Sequence, residues 1–287
     1  MTVSLDELAS AYEGFEELSS FADRQSLEKY REVALENTQQ QADFLGELLP
    51  DRAMLLELGC GNGRLLVELA RRRRIAGGLG VDLSRSRIAF ARAWAGDEGL
   101  EQLRFEAGDA ATFDFADVFS AAVCITGAFA YFDAVEQGLA RWLLDRTRQA
   151  LVPGGLLCLE LYPHPHERRL VEAAGGEVRI WKELPPADPW RFYLSTLALD
   201  SATQVLTHEK TFVHRTTGEV DSGRRERLLL YTSETIAALL RERAFRDIQV
   251  FGDWEHGEAS EDSELLVVTA AAPGSQLARS RGRRARR

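Results

Sequence analysis

The segment Glu57-Leu58-Gly59-Cys60-Gly61-Asn62-Gly63-Arg64 sets an acid and three alternating glycines between an apolar run and the start of a helical pattern. Glycine takes positive φ readily and leaves the main chain bare to a ligand. The helix beginning behind it offers free N–H groups and a partial positive charge. Such a loop suits a carboxylated or phosphorylated ligand. A dinucleotide loop requires G-x-G-x-x-G, whereas here the third glycine comes one residue early. The phosphate loop G-x-x-x-x-G-K-S/T does not occur in the chain. Taken alone, the glycine segment also suits a plain structural turn.

Two more acids stand at predicted strand ends. Gly77-Gly78-Leu79-Gly80-Val81-Asp82-Leu83-Ser84 reads as a strand closing on Asp82, nineteen residues after Gly63. That is close to the spacing at which a carboxylate reaches the ribose hydroxyls of an adenosine. Ser84 reads as the N-cap of a helix carrying Ile88, Ala89 and Trp94. A third strand at Leu103–Ala107 runs into Gly108-Asp109-Ala110, where a carboxylate can bond an adenine amino group.

In this order and at these separations, the motifs resemble the class I S-adenosylmethionine-dependent methyltransferases, with Leu151-Val152-Pro153-Gly154-Gly155 as a fourth element. Within that superfamily the chain resembles the small-molecule branch with antiparallel strands late in the domain. The carriers are Thr126-Gly127-Ala128-Phe129-Ala130-Tyr131-Phe132, Leu230-Tyr231-Thr232, and the ending from Gly252-Asp253-Trp254 to Asp262-Ser263-Glu264-Leu265-Leu266-Val267-Val268. The resemblance implies an α/β, Rossmann-like, seven-stranded, mostly parallel sheet, an N-terminal helical lid, and an antiparallel insertion after strand five. It implies S-adenosyl-L-methionine as cofactor, released as S-adenosyl-L-homocysteine. Glu57, Gly59, Cys60, Gly61, Gly63, Asp82, Leu83, Asp109, Ala110 and Ile125 are the implied cofactor-binding residues. Thr38 and Gln41 are expected to close over its methionine end.

The elements that must position these residues follow from periodicity. Ser4-Leu5-Asp6-Glu7 is a capping box opening a helix with Leu5, Leu8, Ala9, Tyr12 and Phe15 on one face. A second helix is expected from about 26 to 49. Its apolar stripe (Tyr30, Val33, Ala34, then Phe44, Leu45, Leu48) is interrupted by Asn37, Thr38 and Gln41, which is either a partly exposed face or the lid over the cofactor. Strands at 53–58, 78–82, 102–107, 118–125 and 155–162 alternate with helices, the signature of a parallel sheet covered on both faces. Alternating segments at 178–182, 191–199, 204–214 and 224–231, separated by turn residues, read as antiparallel strands. A helix at 233–244 and strands at 246–252 and 264–270 complete the sheet. The expected division is a lid (1–50), a cofactor-binding core (51–162), an insertion forming a substrate wall or dimer surface (163–232), a C-terminal completion of the sheet (233–272) and a basic tail (273–287).

Methyl transfer from a sulfonium requires mainly alignment of a nucleophile and exclusion of water. A phenol, carboxylate or carbon acid also needs a base or a polarising group. The candidates are His164, His166, His208, His214, Tyr131, Tyr162, Tyr12 and Glu209, with His164 and Tyr131 foremost because they follow strands five and four. His164 and His166, two apart on an expected extended segment, would face opposite ways. His208 and His214 would share a strand face. Phe129, Tyr131, Phe132, Trp181, Trp190 and Trp254 are candidate pocket aromatics, each also suited to core packing.

Composition narrows the partners. The chain has 287 residues, 45% apolar and 28% charged, with a formal net charge of −10. The last nine residues hold six arginines and no acid, so the remaining chain is more acidic still. An acidic body repels a phosphate backbone, and no nucleic-acid-binding module is evident. No apolar run has membrane-spanning length, and the first twenty residues lack the basic and apolar regions of a signal peptide. Cys60, Cys124 and Cys158 are widely spaced, each in or beside a predicted strand, as expected of reduced, buried thiols in a cytoplasmic protein, and no metal-binding spacing occurs. The Asn/Asp-Pro-Pro-Tyr string of many base and glutamine methyltransferases is missing after strand four. The expected activity is therefore methyl transfer to a nitrogen or oxygen of a small molecule, by a monomer or homodimer. The alternatives are a macromolecular acceptor, such as a peptide terminus or tRNA with the arginine tail as anchor, or a non-catalytic cofactor-binding protein.

Overall fold

The computed structural model describes residues 9, 12–14, 16–110 and 112–274. The expected capping box at 4–7, the face residues Leu5, Leu8 and Phe15, and the arginine-rich tail lie outside them. The chain runs α1 (Arg24–Glu36), α2 (Gln39–Leu48), β1 (Ala53–Leu58), α3 (Arg64–Arg71), β2 (Ile75–Asp82), α4 (Arg85–Asp97), β3 (Leu103–Ala107) and β4 (Phe119–Cys124). A 3-10 turn (Ala128–Tyr131) leads to α5 (Phe132–Val135), α6 (Leu139–Ala150), β5 (Leu151–Leu161) and α7 (His164–Ala173). Then come β6 (Val178–Glu183), β7 (Trp190–Asp200), β8 (Val205–His214), β9 (Val220–Leu229), α8 (Ser233–Glu242), β10 (Arg246–Phe251) and β11 (Leu266–Ala271).

The main sheet has the order β10-β11-β5-β4-β1-β2-β3. β11 is antiparallel to both neighbours, while the pairings among β1 to β5 are parallel. The near-continuous apolar runs of β1 and β4 follow from burial on both faces. One face packs against α1 to α4 through Phe44, Leu45, Leu65, Leu69, Phe90 and Trp94. The other packs against α6 and α8 through Leu143, Leu144, Ile236 and Leu240. Strand order reverses at β1, which lies between β2 and β4. A crevice therefore opens beyond the carboxyl ends of these strands, where ligands of open α/β sheets bind.

The insertion forms a separate antiparallel sheet, β6-β7-β8-β9, as the alternating pattern predicted. His208 stands directly opposite Glu226 across the β8–β9 pair. The register slips between Lys210 and Thr211, where Gly223 adopts φ +83°, a bulge that bends β9.

Two expectations are corrected. The single helix expected over 26–49 is two helices, interrupted at Asn37–Thr38. The Thr38 hydroxyl donates to the Ala34 carbonyl at 2.6 Å, a local bond that competes with helix continuation. The segment holding His164 and His166 is not extended but the first turn of α7, with Pro163 as N-cap and Pro165 in the first turn, a position proline favours. The opposite-facing argument for the two histidines therefore does not apply.

Candidate active-site cavity

A cavity of about 570 Å³ lies between the carboxyl ends of β1, β2, β4 and β5 and one face of the antiparallel sheet. Of the residues singled out from sequence, Glu57, Gly59, Cys60, Gly61, Asp82, Leu83, Asp109, Ala110, Ile125 and Tyr131 all line it, as do Tyr12, Tyr162 and His208. Gly63 lies behind the wall. It caps α3 with φ +78° and packs so closely on Phe105 and Ala91 that a side chain would collide with them.

At the glycine loop, Gly61 takes φ +53° and donates its N–H to the Asp82 carboxylate at 2.8 Å. The other Asp82 oxygen accepts the Ser84 N–H at 2.9 Å. Glu57, at the end of β1, is only 1% exposed and its Oε2 has no hydrogen-bond partner. Burial pushes its carboxyl up to about 8; Arg64 opposes the shift and Asp82 adds to it. The cavity floor thus holds a largely neutral acid with one orphaned oxygen beside a bare-backbone cradle.

Three flanking residues were not anticipated. Arg87 reaches back over Gly61 and donates to Glu16 at 2.7 Å. Glu16, 6% exposed, also accepts Tyr30 at 2.9 Å and Asn62 at 3.1 Å. Burial disfavours the Arg87 charge, but Glu16 and Asp82 outweigh it and raise the guanidinium above its ordinary value.

Arg64 lines the cavity and is held from behind by exactly the residues expected at the methionine end, though neither touches the cavity itself. Its guanidinium donates to Thr38 at 2.6 Å and Gln41 at 2.8 Å, and on the other side to Thr126 at 3.2 Å. Gln41 in turn donates to Glu160 at 3.2 Å, which also accepts the Thr126 N–H at 2.7 Å. Thr126 is held at φ +58° in this turn, a conformation that costs a β-branched residue energy and needs such support.

The far end of the cavity carries a second polar group, centred on Glu226. Tyr131 donates to Glu226 at 3.0 Å and pairs with the Tyr12 hydroxyl at 2.5 Å. Lys210 makes an ion pair with Glu226, and His208 Nδ1 lies 3.6 Å away. The other ring nitrogen of His208 meets the Tyr193 hydroxyl at 2.7 Å. Glu226 is 1% exposed. Burial alone would raise its carboxyl, but the bonds from His208 and Lys210 prevail and hold it at about 2.

The remaining sequence candidates fall elsewhere. His164 does not line the cavity: its N–H donates to the Tyr231 carbonyl at 2.9 Å, and burial and Arg168 lower its imidazole. His166 lies on the same helix and also stays off the wall. His214 ends β8 with its ring accepting from Thr216 and Thr217 N–H, away from His208. Glu209 points to the opposite strand face and pairs with Arg225 in solvent. Among the aromatics, Tyr131 and Phe132 line the cavity. Phe129 and Trp254 are core residues, and Trp181 is 62% exposed and stacks on Phe192. Trp190 lies on a neighbouring cavity.

Residues 55–155 match a methyltransferase-domain family. The chain is 32% identical over 171 residues, 58% of its length, to trans-aconitate 2-methyltransferase of Variovorax paradoxus. It is 34% identical over 145 residues to the protein of that name from Deinococcus radiodurans. The matched stretches span 62% and 48% of those relatives. Among solved structures, the CcbJ methyltransferase from Streptomyces caelestis superposes with a TM-score of 0.70 at 19% identity, covering 83% of this chain and 90% of that one. CalS10, an amino pentose methyltransferase from Micromonospora echinaspora solved with S-adenosylmethionine bound, gives 0.60 at 22%, covering 83% and 91%. With strand order and glycine loop in agreement, the chain has the fold of the class I S-adenosylmethionine-dependent methyltransferases, and its residues 55–155 are similar to their methyltransferase domain.

Proposed function

We propose that the protein transfers a methyl group from S-adenosyl-L-methionine to a nitrogen or oxygen of a small molecule. The observation that carries this reading is the cradle at the sheet's reversal point, where the bare Gly59–Gly61 backbone meets the orphaned Glu57 oxygen and the Asp82 carboxylate. The fit is chemical. Asp82 retains lone pairs for ribose hydroxyls beyond the two amides it already accepts. Asp109, Ala110 and Leu83 line the cavity and would hold the adenine. Arg64, fixed by Thr38 and Gln41, is the cation that would hold the methionine carboxylate, and Glu57 would meet its ammonium. The cofactor supplies an electrophilic methyl group, and the chain's own residues supply alignment and exclusion of water.

At the acceptor end, His208 is the cavity-facing imidazole and Tyr131 the cavity-facing phenol, both tied to Glu226. An incoming hydroxyl or ammonium would have to lose its proton at this end, where His208 is the imidazole on the wall. The antiparallel sheet walls this end off, which supports a small acceptor rather than a polymer. The test is a screen of small amines, phenols and carboxylic acids with S-adenosylmethionine, reading S-adenosylhomocysteine formed. Acceptor-dependent release supports the proposal. Cofactor binding without turnover on any class would make the protein a non-catalytic binder.

A further inference from the structure

Glu167 lies one turn into α7 and lines the cavity on the side away from the glycine loop. It is 9% exposed. Among the described residues its carboxylate has no hydrogen-bond or ion-pair partner, although it faces an open cavity. The same cavity wall carries the apolar side chains of Ile180, Leu197, Leu206 and Leu228 and the ring of Tyr162. Burial pushes the Glu167 carboxyl above its ordinary range, with His166 opposing the shift. Most of the cavity's cations are engaged elsewhere, Arg87 with Glu16. Lys210 and His208 are committed to Glu226, and Arg64 is committed to Thr38, Gln41 and Thr126. Lys182 is exposed at the rim.

An unpaired buried carboxylate costs free energy unless a donor or cation meets it. Among the described residues none hydrogen-bonds or ion-pairs with it, His166 acting only through its charge, and the space in front of Glu167 is where an acceptor would sit. We infer that Glu167 is the recognition group for a basic nitrogen on the ligand, so that the cavity selects an amine-bearing, otherwise largely apolar small molecule. Calling that ligand the methyl acceptor rests on the proposed function; the binding preference itself does not. An ammonium on Glu167 gains a charge-assisted bond in a site of low dielectric, whereas an alcohol of the same shape gains only a neutral one. An anionic acceptor would meet a like charge, which sets this chain apart from relatives whose name specifies trans-aconitate.

The probes are two matched pairs, benzylamine with benzyl alcohol and cyclohexylmethylamine with cyclohexylmethanol, together with trans-aconitate. Each is titrated calorimetrically into the full-length protein. The amines are expected to bind about tenfold or more tightly than their alcohols, and Glu167→Gln should erase the difference. Glu167→Gln is nearly isosteric, and its unchanged affinity for S-adenosylmethionine shows that the fold survives. The inference is overturned by no measurable amine binding, by equal binding of amine and alcohol, by a preference that survives Glu167→Gln, or by trans-aconitate binding more tightly than the amines. An amine preference in a protein that ignores S-adenosylmethionine would sink the cofactor reading and leave this inference standing.

Discussion

The Asp82 carboxylate accepts the Gly61 N–H at 2.8 Å, so the acid that ends β2 also fixes the glycine loop that follows β1. One residue thereby shapes the cradle and presents free lone pairs to a ligand within it. Asp82→Ala should lose both contributions. A hydrogen bond to a charged group contributes about 1.5–3 kcal/mol, so affinity for S-adenosylmethionine should fall by about tenfold to a hundredfold. Calorimetric titration of the variant checks this, and unchanged affinity would remove Asp82 from the site.

Glu57 gives a pH dependence of definite sign. Burial holds its carboxyl at about 8 in the folded chain, against 4.5 for an unperturbed glutamate. Between those values the folded chain keeps a proton that the unfolded chain has released, so stability falls as pH rises through the window. The limiting slope for one group is about 1.4 kcal/mol per pH unit. Glu57→Gln, which carries the neutral form permanently, should flatten this slope in urea unfolding series from pH 5 to 8. Parallel slopes in the two proteins would mean that Glu57 is ionised in its site.

The Glu226–Lys210 pair behaves oppositely. Its carboxyl is held at about 2, so its stabilisation is complete above the ordinary glutamate value and is lost as pH falls toward 2. Glu226→Gln leaves the Lys210 ammonium, 13% exposed, without its anion. Breaking a buried pair in this way costs about 3–5 kcal/mol. The double variant Glu226→Gln/Lys210→Gln should recover most of that loss, because no buried charge is stranded. Equal stability of wild type and Glu226→Gln would show the pair to be solvated.

The three cysteines are buried, and burial raises each thiol above its ordinary value. Thiolate is the reactive form, so Ellman's reagent should titrate almost no thiol in the native protein and all three in denaturant. Fast labelling of Cys60 in the native chain would mean that the cavity floor opens readily.

Most of the cradle was legible in the sequence because its residues are local. Glycine loop, strand-end acids and N-caps each fall within a few residues, and periodicity places them at one end of the sheet. What escaped was long-range. Glu226 and Lys210 read as ordinary charges on an antiparallel ribbon, and only the β8–β9 register turns them toward Tyr131. Glu16 and Arg87 are 71 residues apart, and nothing local predicts that they meet over Gly61. Two errors were avoidable in kind. Thr38 marked the break between α1 and α2, and Pro163 and Pro165 marked a helix start rather than a strand continuation at His164. The imidazole on the cavity wall belongs to His208 and not to His164, and it comes from a strand whose facing could be narrowed to two choices but not decided.

The central claim is that the cradle formed by Glu57, Gly59, Gly61, Arg64 and Asp82 holds S-adenosylmethionine. The direct measurement is calorimetric titration of the wild-type protein with S-adenosylmethionine and S-adenosylhomocysteine, with NADH as control. One-site binding of both sulfur nucleosides in the micromolar range (about −8 kcal/mol) and none of NADH is the predicted result. Binding of NADH, or of neither nucleoside even with candidate amines added, would contradict it.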